Sequence, residues 1–176
     1  IIMIKKIVDL VNGEIGCEVE TENKYTNSIE FVNWCMIEAF GEEKAKELVC
    51  QPNKELAKQC CFSAKYYKNN AQYYSMPKTG DQVFFKNDKK ELVRTGIVTN
   101  VDENNIYTVE VIDNVVCAPM YAKNDYAIAG YGRPNYEELS EEEVIDNEED
   151  KDIVLAPLSH DRSQAIKGEN DNEIDN

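Results

Sequence analysis

An uneven distribution of charge divides this sequence into two parts and limits how much of it can form a folded core. Residues 137–176 contain 15 acidic and three basic side chains, whereas residues 1–136 carry a net charge of only −3. A segment with so much charge of one sign cannot bury enough apolar surface to fold by itself. The sequence therefore predicts a globular domain over residues 1–136 and an acidic tail of low order over residues 137–176.

The same charge balance narrows the classes of partner. Residues 1–136 have no basic stripe to neutralise phosphates, which disfavours nucleic-acid binding. Apolar runs stay well below the roughly 18 residues of a membrane span, so no membrane span is predicted. The first residues do not have the order of a signal peptide, because Lys5 and Lys6 interrupt the short apolar stretch. The sequence therefore predicts no signal peptide, and it leaves the cellular location open.

The hydrophobic spacing changes from helical to extended along the chain. Apolar residues at Ile4, Ile7, Val8 and Val11 predict a first helix that ends near Gly13 or Gly16. Helices first and antiparallel strands afterwards predict an α+β fold. The further predicted elements are a polar loop at 18–27, a helix that begins at Ser28 as its N-cap, helices at 42–49 and about 54–69, and strands at 82–86, 95–101, 105–111 and 126–132.

Histidine and cysteine usage restricts the chemistry that the domain can perform. The single histidine, His160, lies in the acidic tail, so residues 1–136 contain no imidazole. The six cysteines are predicted to be reduced and mostly buried, because a domain of this size needs no disulfide. Their spacing does not match a zinc site, and no calcium-binding loop pattern occurs. The sequence predicts no metal and no cofactor.

Five stretches of residues 1–136 occur together in an order that is known from one enzyme family. They are GEIG with NKYTN, FVNWC, SAKYYKNNAQYYSMPKTGDQVFFKN, TGIVTNVDENNIYTVE and IAGYGRPNY. In this order they resemble the CHAP family, the cysteine, histidine-dependent amidohydrolases and peptidases with which bacteria and phages cut peptidoglycan. The resemblance implies a papain-like fold, in which N-terminal helices pack on an antiparallel β-sheet.

The resemblance also points to four positions that carry catalysis in the family, and three of them are substituted here. Ser28 stands where the family has its nucleophilic cysteine, and Arg94 stands where it has the histidine base. Glu110 keeps the carboxylate that orients this base, whereas Ile112 replaces an asparagine. A guanidinium stays protonated and cannot activate a hydroxyl, so we expect Arg94 to form an ion pair with Glu110. This pattern predicts a catalytically inactive domain that binds peptidoglycan or a protein partner.

The sequence is also compatible with two other functions. The domain could be an active peptidoglycan amidase or endopeptidase with an atypical site, for which Cys35 and Cys17 are the candidate nucleophiles. Cys35 falls among apolar residues, which favours a buried structural thiol. The acidic tail, with its apolar centre at 153–158, could alternatively act as an adaptor segment.

Aromatic residues supply the candidates for ligand binding. The resemblance implies a substrate-binding groove, and Trp34, Tyr73 and Tyr74 are predicted to line it, because aromatic faces bind sugar and peptide chains well. A simpler interpretation is that one residue of each tyrosine pair belongs to the core and the other lies on the surface.

Overall fold

The computed structural model describes residues 2–52 and 55–136, and within these ranges the chain forms five helices and seven strands. The prediction of an α+β fold with N-terminal helices and an antiparallel sheet is confirmed. The predicted tail, its segment 153–158 and His160 lie outside the described residues.

The helices are α1 (Ile2–Gly13), α2 (Val19–Glu22), α3 (Ser28–Phe40), α4 (Glu42–Leu48) and α5 (Cys60–Asn69). The strands are β1 (Tyr73–Tyr74), β2 (Gln82–Lys86), β3 (Leu92–Val101), β4 (Asn105–Ile112), β5 (Val115–Cys117), β6 (Met120–Ala122) and β7 (Ile128–Gly132).

Helix α3 forms as predicted, except at its first turn. Its N-cap is Asn27 and not Ser28, since the Asn27 side chain accepts a hydrogen bond from the Glu30 backbone N–H at 3.0 Å. Glu30 reaches back to the backbone N–H of Thr26 at 2.8 Å, which completes the first turn. Asparagine and serine cap helices equally well, so the sequence could not decide between two neighbours. Because Ser28 is not the cap, its hydroxyl is free to contact another element.

Two predicted boundaries in the helical part are wrong. The predicted polar loop at 18–27 contains the short helix α2 and two buried side chains, Val19 and Tyr25. Tyr25 is buried because its ring packs on Phe31 and its hydroxyl donates to Glu14 at 2.8 Å. Helix α5 begins at Cys60 and not near residue 54, and residues 55–59 are not helical.

The sheet is a continuous antiparallel array with the order β1-β7-β2-β3-β4-β5, and β6 pairs with β4 beside this path. The predicted strands form its centre, with Gly96 of β3 opposite Glu110 of β4. Strands β1, β5 and β6 were not predicted, because a strand of two or three residues has too few positions to show alternation. Helix α3 packs against β3 and β4, which places its first turn beside the middle of the sheet.

A buried hydrogen-bond network connects α5 to the central strands. Gln82 is fully buried, and its amide nitrogen donates to the hydroxyls of Ser63 and Thr95 at 3.3 and 3.1 Å. Its carbonyl oxygen accepts from the Tyr67 hydroxyl at 3.0 Å, and Thr95 donates to the Val83 carbonyl at 2.7 Å. Every polar group of this network has a partner, so burial leaves none of them unsatisfied.

Within the described residues, no helix combines the length and apolar character that crossing a membrane requires.

Candidate functional site

Ser28 is brought to the sheet by the first turn of α3. Its hydroxyl oxygen accepts a hydrogen bond from the backbone N–H of Thr95 at 3.2 Å, which ties the helix to β3 directly beside Arg94. The Cys60 thiol, at the start of α5, interacts with the same hydroxyl. Burial raises the pKa of Cys60 to about 11, although the Ser28 hydroxyl would stabilise its thiolate. Cys60 is therefore a protonated thiol at neutral pH.

The expected ion pair between Arg94 and Glu110 is present in the structure. The Arg94 Nε atom lies 2.6 Å from Glu110 Oε1, and the Glu110 side chain is fully buried whereas that of Arg94 is 30% exposed. Gly96 makes room for this carboxylate, because a Cβ atom at Gly96 would lie 2.8 Å from the Glu110 Cβ atom. Burial works against the charge on Arg94, but the charge of Glu110 and its hydrogen bond raise the Arg94 pKa above its ordinary value.

Two hydroxyl groups complete the surroundings of the Glu110 carboxylate. The Tyr121 hydroxyl donates to Glu110 Oε1 at 3.1 Å and accepts from Arg94 Nη2 at 3.1 Å. Thr108, two residues before Glu110 on the same face of β4, donates to Oε2 at 2.7 Å. Burial, with the nearby Glu110 charge, raises the pKa of Tyr121 to about 12, so it donates as a neutral phenol.

The position of the Arg94 guanidinium is fixed by aromatic packing as well. Its central carbon lies 4.3 Å from the centre of the Phe85 ring, and Phe85 in turn packs on Tyr121 with ring centres 4.9 Å apart. A guanidinium that stacks on a ring and pairs with a buried carboxylate is held in one orientation. Arg94, Glu110, Tyr121 and Thr108 therefore form a polar cluster in which each side chain is hydrogen-bonded to another member.

The fourth position singled out by sequence, Ile112, offers no polar group. It is the last residue of β4 and pairs with Val115 across a turn at Asp113 and Asn114, both of which have positive φ. Its side chain is half-buried and apolar, so it cannot orient a base.

The other candidate nucleophiles lack activation. Cys35 is completely buried, and this burial raises its pKa well above the ordinary value of a thiol. The pKa of Cys17 is raised by burial and by the neighbouring carboxylates of Glu14 and Glu22. All six cysteines are free thiols. The prediction of burial is confirmed for Cys35 and Cys60 and is wrong for Cys61, which is exposed, while the remaining three cysteines are partly buried.

The structure places the three predicted ligand-binding rings in different surroundings. Trp34 is half-buried against Tyr25, with the Lys24 ammonium 4.9 Å from its ring centre. Tyr73 packs on Phe84 inside the sheet region. Tyr74 is 40% exposed and lines a pocket of about 490 Å³, which Trp34 and Tyr73 do not line.

Comparison with known proteins extends the description of the fold. No family model and no curated protein matches this chain. The chain is similar to the crystal structure of Ly7917, with a TM-score of 0.51 and 12% sequence identity. The alignment covers 74% of this chain and 62% of the length of Ly7917. At this identity, the similarity supports a shared fold and says nothing about activity or ligands.

Sequence reasoning missed Tyr121, Thr108 and Cys60 as members of the site. The sequence could have indicated Thr108, because residues two apart on a β-strand lie on the same face of the sheet, and Thr108 is two residues before Glu110. Tyr121 lies on β6, a strand that was not predicted, and Cys60 lies at the start of α5, which was predicted to begin near residue 54. The described residues contain no cluster of three His, Cys, Asp or Glu side chains that could hold a metal ion.

Proposed function

We propose that residues 1–136 are a CHAP-like domain, related to bacterial or phage cell-wall hydrolases, that no longer cuts peptidoglycan. The single observation that carries this proposal is the Arg94–Glu110 ion pair at the position where the family has its base and orienting carboxylate. The domain would instead bind peptidoglycan, or a protein partner, through the former groove.

The chemistry of acyl transfer supports the loss of hydrolysis. A serine hydroxyl attacks a carbonyl only when a neighbouring base removes its proton. Ser28 contacts β3 at the backbone N–H of Thr95, and the preceding residue, where the family has its base, is an arginine that stays protonated. The carboxylate of Glu110 is already bonded to Arg94, Tyr121 and Thr108, so it is not available to take the proton either.

The local geometry also suggests how activity could be restored. A cysteine at position 28 would stand at the N-terminal end of α3, an environment that favours the thiolate. A histidine at position 94 would take the place of the Arg94 guanidinium beside Glu110, which could then orient the imidazole. Both changes replace a side chain by one of similar or smaller size.

The test compares the full chain with a Ser28→Cys/Arg94→His double variant in muropeptide release from purified Gram-positive cell walls. We expect no release by the unmodified chain and measurable release by the double variant. The two single variants are the matched controls, because each supplies only half of the nucleophile–base pair. Sedimentation of the chain with the same walls measures binding separately.

Release by the unmodified chain would contradict the proposal and favour an active amidase or endopeptidase with an atypical site. If the chain neither releases muropeptides nor sediments with walls, the protein-partner form of the proposal is the one to pursue. The adaptor role of residues 137–176 stays a prediction, which deletion of that segment would test.

A further inference from the structure

A second concave surface lies away from Ser28 and Arg94, and the proposed function does not use it. It is the pocket of about 490 Å³ that includes Tyr74, Lys78, Asp81 and Arg133, with Ile4 of α1 at its side. This volume lies within the roughly 300–1,000 Å³ typical of small-molecule sites. Its lining combines the Tyr74 ring and the aliphatic Ile4 side chain with several polar and charged groups, so the pocket offers both apolar and charged contacts.

The Arg133 guanidinium in this pocket is rigidly positioned. Its Nε and Nη2 atoms donate to the two oxygens of Asp81 at 2.9 and 2.8 Å, and Nη2 also donates to the Met76 carbonyl at 2.9 Å. The central carbon of the guanidinium lies 3.9 Å from the centre of the Tyr74 ring. Asp81 itself is 1% exposed and accepts from the Lys78 backbone N–H at 2.7 Å. The charged surface is therefore preformed, and a ligand could bind to it without immobilising the Arg133 side chain.

The charge of the pocket indicates which ligands it suits. Arg133 forms an ion pair with Asp81, whereas exposed Lys78, whose charge also acts on Asp81, lines the pocket without forming a salt bridge among residues 2–52 and 55–136. The three side chains together carry one positive charge, although residues 1–136 as a whole are slightly acidic. One positive charge beside a buried carboxylate matches a singly charged anion better than a phosphate dianion, which Asp81 would repel.

We propose that this pocket binds a monocarboxylate with an apolar neighbour, such as the C-terminal residue of a short peptide. The carboxylate pairs with Lys78 at the Arg133 side of the pocket, and the apolar part of the ligand packs against Tyr74 and Ile4. This inference is independent of the proposed function, because it concerns different residues and requires no hydrolysis.

The test is a calorimetric titration of the full chain with the dipeptide N-acetyl-Leu-Ala, with its C-terminal amide and with inorganic phosphate. We expect saturable binding of the acid and about tenfold weaker binding of the amide, because a charge-assisted hydrogen bond is lost. Lys78→Gln should weaken binding of the acid about fivefold, since Lys78 is exposed and its contribution is partly screened. Lys65→Gln removes an exposed lysine on α5 that does not line the pocket, and it should leave the affinity unchanged.

Four results would overturn the inference. The first is an absence of saturable binding by the acid, and the second is equal affinity for the acid and the amide. The third is an equal effect of the Lys78 and Lys65 variants, which would assign any binding to general charge. Phosphate that binds more tightly than the acid would also contradict the assignment to a monoanion. Because the readout is binding and not muropeptide release, failure here is distinguishable from failure of the proposed function.

Discussion

At the residue scale, the Glu110 carboxylate depends on three donors that come from three strands. Arg94 lies on β3, Thr108 on β4 and Tyr121 on β6, and all three donate to a side chain that has no exposed surface. A buried carboxylate that loses its cation keeps its desolvation penalty and is strongly destabilising. The ion pair therefore matters for the stability of the fold.

We predict that Arg94→Met lowers the free energy of unfolding by about 2–3 kcal/mol, somewhat less than for a fully buried pair because Arg94 is partly exposed. The double variant Arg94→Met/Glu110→Gln should recover part of this loss, since it removes the uncompensated charge. Urea unfolding of the wild type, both single variants and the double variant measures the four free energies. A double variant less stable than Arg94→Met alone would show that the charge of Glu110 is not the cause.

At the element scale, close packing between α5 and β7 restricts one position to glycine. A Cβ atom at Gly132 would lie 2.3 Å from the Tyr67 ring. Tyr67 is fully buried and is held by its hydrogen bond to Gln82, so the ring cannot move aside. Gly13, at the end of α1, has no heavy atom within 4 Å of such a Cβ position.

Gly132→Ala is expected to lower the free energy of unfolding by about 2–3 kcal/mol, because overpacking displaces a rigid core ring. Gly13→Ala is the matched control, and it should be neutral or stabilising by up to about 1 kcal/mol, because alanine favours the helix. Thermal and urea unfolding of both variants give the comparison. Equal stabilities of the two variants would contradict the close approach of Tyr67 to β7.

The secondary-structure elements differ in how well the sequence predicts them. Long segments with clear periodicity, such as α1, α3, β3 and β4, could be predicted because each buries one face by itself. The start of α5 and the strands β1, β5 and β6 could not, since their positions depend on contacts with distant parts of the chain. The Arg94–Glu110 pair could be predicted from the resemblance, whereas Tyr121 required the position of β6.

At the scale of the whole molecule, buried tyrosines determine how the fold responds to alkaline pH. Burial raises the pKa of Tyr121 and Tyr131 from 10.0 to about 12, and it also raises the pKa of Tyr67 and of Tyr136 well above 10.0. A tyrosine whose pKa is higher in the folded state loses its proton first in the unfolded state. Its contribution to stability is thus complete below pH 10 and is lost as the pH rises toward 12 and beyond.

We predict that unfolding above pH 10 coincides with the part of the tyrosinate absorbance that comes from the buried tyrosines. Tyr131→Phe should shift this transition to higher pH, because the buried Tyr131 hydroxyl has no hydrogen-bond partner among the described residues and its removal also stabilises the fold. Tyr126→Phe, at a side chain that is 61% exposed, is the control and should leave the midpoint unchanged. Tyrosinate absorbance and circular dichroism, measured together as a function of pH, give the unfolding midpoint of the wild type and of the two variants. Full tyrosinate absorbance at pH 10 with the fold retained would contradict the prediction.

The order of the strands has a consequence for how copies of the molecule behave at high concentration. The long strands β2, β3 and β4 lie inside the sheet, and the flanking strands β1, β5 and β6 have only two or three residues each. An unpaired strand edge is a template on which another chain can add, and the hazard grows with its length and flatness. By placing its shortest strands at the borders, this sheet offers a second copy little backbone on which to begin a fibril.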